Sequence, residues 1–137
     1  MLLFLGLMLS DYFGSNTHFP NDRKLLTKNN AVSSFVSSEN SYYIQAISIS
    51  SSARNPLLMA LNLLQAKYRH VQVIELNDYS VQLVIRSSIF KFPDDIRLFW
   101  NSDQSQLHIQ SKSRFGYSDF GVNRSRFEWL RANFSGK

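Results

Sequence analysis

The chain has 137 residues, of which 44% are hydrophobic and 18% charged, with a formal net charge of +5 and no cysteine. That length suits one hydrophobic core rather than several, and the lack of cysteine excludes disulfides and thiol catalysis. The positive excess is small, and without a recognised nucleic-acid motif it argues against nucleic acid as a partner.

Residues 1–9, MLLFLGLML, are apolar. The run is far shorter than the roughly 20 residues a membrane helix needs, and it lacks the basic start and cleavage site of a secretion signal. The expectation is an export or anchoring remnant, with a core-docked helix as the alternative. With it go peripheral membrane contact through residues 1–9 and a periplasmic or membrane-associated location in preference to the cytoplasm. Residues 11–30 mix Asn, Asp, Gly, Thr and Pro20 without period and read as a surface arm. The division is an apolar segment and arm over 1–31 and a single α+β domain over 32–137.

Residues 32–41 are serine-rich. Ser33, Ser34, Ser37 and Ser38 invite a phosphorylation or nucleophile reading, but a turn-rich lead-in stabilised by side-chain to backbone bonds is the simpler one. Residues 42–49 alternate at the two-residue period of a strand. Asn55 is placed to cap a helix and Pro56 to occupy its first position. The helix over 57–68 carries a stripe of Leu57, Leu61 and Leu64, and Lys67, Arg69 and His70 suit its C-terminal end. Strands are predicted over 71–76, 81–89, 96–100 and 107–113, with turns at Asn77-Asp78, Pro93-Asp94 and 101–105. The order β-α-β-β-β-β-α implies an α+β fold, an antiparallel sheet of four to five strands with two helices on one face. Its core should contain Leu61, Leu64, Leu83, Ile85, Leu107, Ile109, Phe127 and Leu130.

Residues 111–131, SKSRFGYSDFGVNRSRFEWLR, hold the densest chemistry: five of the fifteen Lys and Arg residues fall there, with two glycines and five aromatics. Gly116 and Gly121 bracket Tyr117-Ser118-Asp119-Phe120, a pattern for a loop with unusual backbone angles. Asn123 reads as a helix N-cap. Phe127, Leu130 and Phe134 then recur at helical spacing, and Glu128 can pair with Arg124 or Arg131.

Arg114, Arg124 and Arg126, with Tyr117, Asp119 and Asn123, are the candidate binding set. Arginine forks suit carboxylate or phosphate, and the free N–H groups at a helix start favour anions. The ligand would be an anionic or amphipathic small molecule, or a protein. Set against this is a self-satisfied network in which Asp119 accepts from loop amides and an arginine, locking the last strand to the last helix. Ser113, Gly116, Gly121, Asp94, Asp95 and Glu128 belong to that structural frame. Asp94 and Asp95 are adjacent, and adjacent residues on an extended chain point opposite ways. One is expected to cap the bend at Pro93 and the other to pair with an arginine. His18, His70 and His108 show no metal-ligand spacing, and no phosphate loop, nucleophile elbow or nucleotide fingerprint implies a cofactor. Two function classes remain: a non-catalytic binding or structural domain, and a small hydrolase-like enzyme using Asp119 or Asp94 with His108.

The stretch from Ser111, Ser113 and Arg114 through Gly116, Tyr117, Ser118, Asp119, Gly121, Val122, Asn123, Arg124, Arg126, Glu128, Leu130 and Arg131 closely resembles the C-terminal signature of the bacterial and plant family called domain of unknown function 1499. Phe92-Pro93-Asp94-Asp95-Ile96 resembles a second segment of that family. Phe35-Val36-Ser37-Ser38 resembles, weakly, its Asn-Cys-Val-Ser-Ser segment. The resemblance spans about 32–134 and implies no assigned function. Phe35 stands where the pattern has Cys, Lys112 where it has a small residue, and Arg97 where it tends to have Glu.

Overall fold

The computed structural model describes residues 31–50, 52–115 and 121–135. The expectations for residues 1–30 lie outside them. The elements are β1 (Ala31–Ser33), β2 (Ile47–Ser48), α1 (Pro56–Lys67), β3 (Val71–Leu76), β4 (Ser80–Arg86), β5 (Pro93–Asn101), β6 (Gln106–Ser113) and α2 (Val122–Ser135). The strands form one six-stranded sheet in the order β1-β6-β5-β4-β3, with β2 also on β6. Every strand pair is antiparallel. This is the expected α+β class. The sheet exceeds four to five strands because the serine-rich lead-in contributes β1.

Alternation decides which face each side chain takes. Leu107, Ile109, Ser111 and Ser113 of β6 are buried. They register with Trp100, Leu98, Ile96 and Asp94 of β5, and Val81, Leu83 and Ile85 of β4 continue the row. Onto this face pack Leu57, Ala60, Leu61 and Leu64 of α1 and Phe127 and Leu130 of α2, in one cluster. All eight residues expected in the core are buried. Both helices therefore share one sheet face.

α1 begins as its sequence dictates. Asn55 adopts a left-handed conformation (φ 43°) and its side chain accepts from the Leu58 N–H at 3.1 Å, with Pro56 next in the chain. This satisfies a donor that the first turn would otherwise leave orphaned.

Three boundaries differ from expectation. Of residues 42–49 only Ile47 and Ser48 are strand. The outer edge of β6 is divided: β1 takes Gln110 to Lys112 and β2 takes Gln106 and Leu107. The carbonyls of Gln45 and Ala46 instead accept from the Arg131 guanidinium. The strand expected to run to Ile89 ends at Arg86, where the chain turns out into an exposed loop. β5 starts at Pro93, earlier than expected, because residues 93–95 pair with both β4 and β6.

Candidate functional site

The start of β5, the end of β6 and the first turn of α2 meet at one corner of the molecule. Asp94 and Asp95 leave β5 on opposite faces, as their adjacency requires. Asp94 faces the helices, where the Arg126 Nη2 donates to its Oδ2 at 2.9 Å. Arg126 Nη1 donates to Asn123 Oδ1 at 3.0 Å, and the Ser111 hydroxyl donates to that same oxygen. The Asn123 amide nitrogen donates to Ser113 Oγ at 3.0 Å. The five side chains are all buried, and the Arg126 guanidinium lies 5.1 Å from the centre of the Tyr68 ring. A charge placed in so dry a layer is tolerable only when paired and hydrogen-bonded. Here a carboxylate, an amide oxygen and an aromatic face share the task.

This arrangement corrects the reading of Asn123. The helix already includes Val122, and the Ser125 N–H donates to the Gly121 carbonyl at 2.9 Å. Gly121, at φ 78°, makes the left-handed turn into the helix, a conformation that costs any side-chain-bearing residue. Asn123 sits one position inside, and its amide turns into the core instead of capping.

Asp95 faces the other side. The Arg114 Nε and Nη2 grip its two oxygens, each at 2.7 Å, the bidentate fork that arginine forms with a carboxylate. That hydrogen bond holds the Arg114 pKa above its ordinary value, so its guanidinium stays charged at any working pH. The Asp95 side chain is 3% exposed and that of Arg114 31%. The Arg114 N–H also donates to the Pro93 carbonyl at 3.1 Å. Neither acid caps the bend; each is matched to its own arginine, one on either side of the sheet.

Arg124 takes a third direction, its Nη2 donating to the Ser41 carbonyl at 3.1 Å. Glu128 chooses Arg131, three residues on, at 2.9 Å. The three arginines of the candidate set thus point inward (Arg126), across the sheet (Arg114) and out to the lead-in (Arg124). Gly116, Tyr117 and Asp119, with the expected Asp119 lock, lie outside the described residues.

Asp94 and His108 are not brought together. Asp94 registers with Ser113, five residues along β6 from His108, about 17 Å at the strand rise. His108 also sits on the opposite face, opposite Phe99. Its partner is Ser34, whose hydroxyl lies 2.9 Å from Nδ1. The same hydroxyl accepts from the Ile109 N–H at 2.9 Å and reaches the Ile109 carbonyl at 3.2 Å. Ser34 is therefore a tie between lead-in and β6. Burial lowers the His108 pKa below its ordinary value, keeping the imidazole neutral. The serine-rich composition flagged Ser34 and alternation placed His108, but only the tertiary pairing of β1 with β6 joins them.

A family described as "Protein of unknown function (DUF1499)" has a model that matches residues 23–134. The chain belongs to this family. No curated protein and no solved structure matches it significantly. Within this DUF1499 chain, Phe35 and Arg97 share the sheet face away from the helices. Phe35 stacks on the His108 ring at 4.9 Å between centroids. Arg97, 2% exposed, donates from Nη2 to Gln82 Oε1 at 2.9 Å. The pairs Arg114–Asp95 and Arg126–Asp94 clamp the corner, each joining an arginine of residues 111–131 to an acid of β5.

Proposed function

We propose that the chain is a non-catalytic binding domain of the cell envelope, in which the signature is a structural lock that frames the 114–121 loop for an anion or a protein partner. One observation carries the lock: the two adjacent carboxylates of β5 are each matched, on opposite sheet faces, to an arginine of the signature. Groups so engaged tie the end of β6 and the start of α2 to the same two residues of β5. The apolar run at residues 1–9 supports the envelope placement.

Urea unfolding of Asp94→Asn and Asp95→Asn tests the lock. Asp94→Asn leaves a buried guanidinium without its counter-charge and should cost about 3–5 kcal/mol. Asp95→Asn leaves Arg114 with access to water and should cost less, about 1.5–3 kcal/mol. Two variants as stable as the parent would remove the lock. Thermal melting in phosphate and sulfate at matched ionic strength reads the loop. A bound anion at about 100 times its Kd raises stability by roughly 2.7 kcal/mol. A rise seen in the parent and missing in Arg124→Ala would make the anion the ligand; equal behaviour would leave a protein partner.

A further inference from the structure

Four apolar side chains gather at the corner just described, outside the core. The β4–β5 loop places Ile89 and Phe90 at its outermost point, 82% and 72% exposed, and Phe92 and Phe115 beside them at 54% and 62%. The rings of Phe90 and Phe92 stack at 5.5 Å, and Phe92 meets Phe115 at 6.1 Å. Singly exposed apolar residues are ordinary; a contiguous cluster of this kind marks a contact surface.

The loop is built to hold them outward. The Ser87 N–H donates to the Phe92 carbonyl at 3.0 Å, the Lys91 N–H to the Ser87 carbonyl at 3.2 Å, and the Phe92 N–H to the Ser87 hydroxyl at 2.9 Å. Lys91 takes a left-handed conformation, φ 59°, to close the turn. Ile89 and Phe90 are thus kept at the crest by the backbone itself.

Cations surround the crest. Arg86 donates through Nη1 to the Lys91 carbonyl at 3.4 Å and by its backbone to the His70 carbonyl at 3.0 Å. The Lys91 ammonium reaches His70 Nε2, and the charges of Lys91 and Arg69 both bear on that ring. The acids at this end, Asp94 and Asp95, are buried and already paired. Among the described residues the others lie elsewhere. Asp78 and Asp103 are in the turns at the far ends of the strands, Glu75 is late in β3, Glu39 is in the lead-in between β1 and β2, and Glu128 is on α2 with Arg131. Among the described residues the tip therefore offers an apolar point beside cations, Arg69, Arg86 and Lys91, that form no salt bridge. That is the chemistry of a surface that enters the headgroup region of an anionic bilayer, its apolar side chains reaching the acyl boundary and its Lys and Arg meeting lipid phosphates. Among the described residues no helix is long and apolar enough to cross a membrane.

We infer that the Ile89-Phe90-Phe92-Phe115 tip, with Arg69, Arg86 and Lys91 around it, docks the protein onto an anionic lipid surface. The inference rests on the proposal of a binding domain and names its partner, while the urea experiments on the Asp–Arg lock stand apart from it. The test is co-sedimentation of the full chain with vesicles of phosphatidylcholine alone and of phosphatidylcholine with phosphatidylglycerol. Ile89→Ser/Phe90→Ser and Lys91→Glu are compared with the parent, their melting temperatures checked in parallel. The parent should bind the anionic vesicles, weaken with salt, and bind neutral vesicles poorly. The double variant should lose more than about tenfold in partition, and Lys91→Glu should lose affinity for anionic vesicles alone. No parental binding overturns the inference. So does binding undiminished in the double variant, which would move the contact to the apolar residues 1–9. Concentration-dependent self-association of the parent, abolished in the double variant and unaccompanied by vesicle binding, would overturn it in favour of a protein partner.

Discussion

At the scale of single residues, His108 shows how a neutral group can be built into a positively charged protein. Its imidazole is stacked under Phe35 and tied to Ser34, and burial lowers its pKa. The unfolded chain returns it to its ordinary value, near 6.5, and so binds more protons than the folded chain in the window below that. The neutral ring favours the fold above about pH 6.5, and this contribution is lost as pH falls through the lowered folded-state value. Urea midpoints measured from pH 8 to 5 should drop for the parent and drop less for His108→Gln. Parallel curves for the two proteins would show that the ring is accommodated equally well when charged. The buried Ser111–Ser113–Asn123–Arg126 cluster is a residue-scale feature that pattern reading misses. A serine on the inner face of a strand looks like a small filler, and an asparagine near a helix start looks like a cap. What recruits them is Asp94, which arrives from β5, thirty-two residues from Arg126 in sequence.

Among the elements, α1 and β6 were legible because each is governed by its own sequence. The Asn-Pro start and leucine stripe suffice for one, and the alternation of 106–113 for the other. Replacing Asn55 by Ala removes the acceptor for the Leu58 N–H and puts a β-carbon into a left-handed conformation. The loss should be about 1–2 kcal/mol by urea unfolding, with Asn55→Gly milder because glycine accepts that backbone. Equal losses would assign the cost to the side chain alone. β1 was beyond reading, since three residues carry no period, whereas β2 is the short remainder of the strand expected over 42–49; both lie along the edge that β6 offers. The alternation of 42–46 misled for the converse reason: Tyr42 to Ile44 make only an isolated bridge to Ser33, and the carbonyls of Gln45 and Ala46 face Arg131 from α2. The strand expected to reach Ile89 misled because an apolar residue after a strand normally means continued burial, and here Ile89 marks the exposed tip.

In the whole molecule, protection should fall from the middle of the sheet outward. β5 is held on both sides and buried along most of its length, whereas β3 is an edge with a bulge between Val73 and Glu75 and most of its side chains exposed. Amide hydrogen exchange should therefore be slowest at Ile96 and Leu98 and faster across β3, since an edge strand opens without unfolding the rest. Uniform protection of β3 and β5 would mean that the sheet opens only as a unit. The neighbouring acids of β5 have a bearing on how this sheet avoids assembling wrongly. A strand displaced by one residue exchanges its two faces. Such a slip would carry Asp95 into the layer beneath the helices and Ile96 out of it, and would leave either Arg114 or Arg126 without its counter-charge. The misregistered sheet is thus penalised twice, once in oil and once in charge, by a dipeptide whose two halves never face the same way. Asp94-Asp95 works as a key cut on both edges, which turns only when the strand is home.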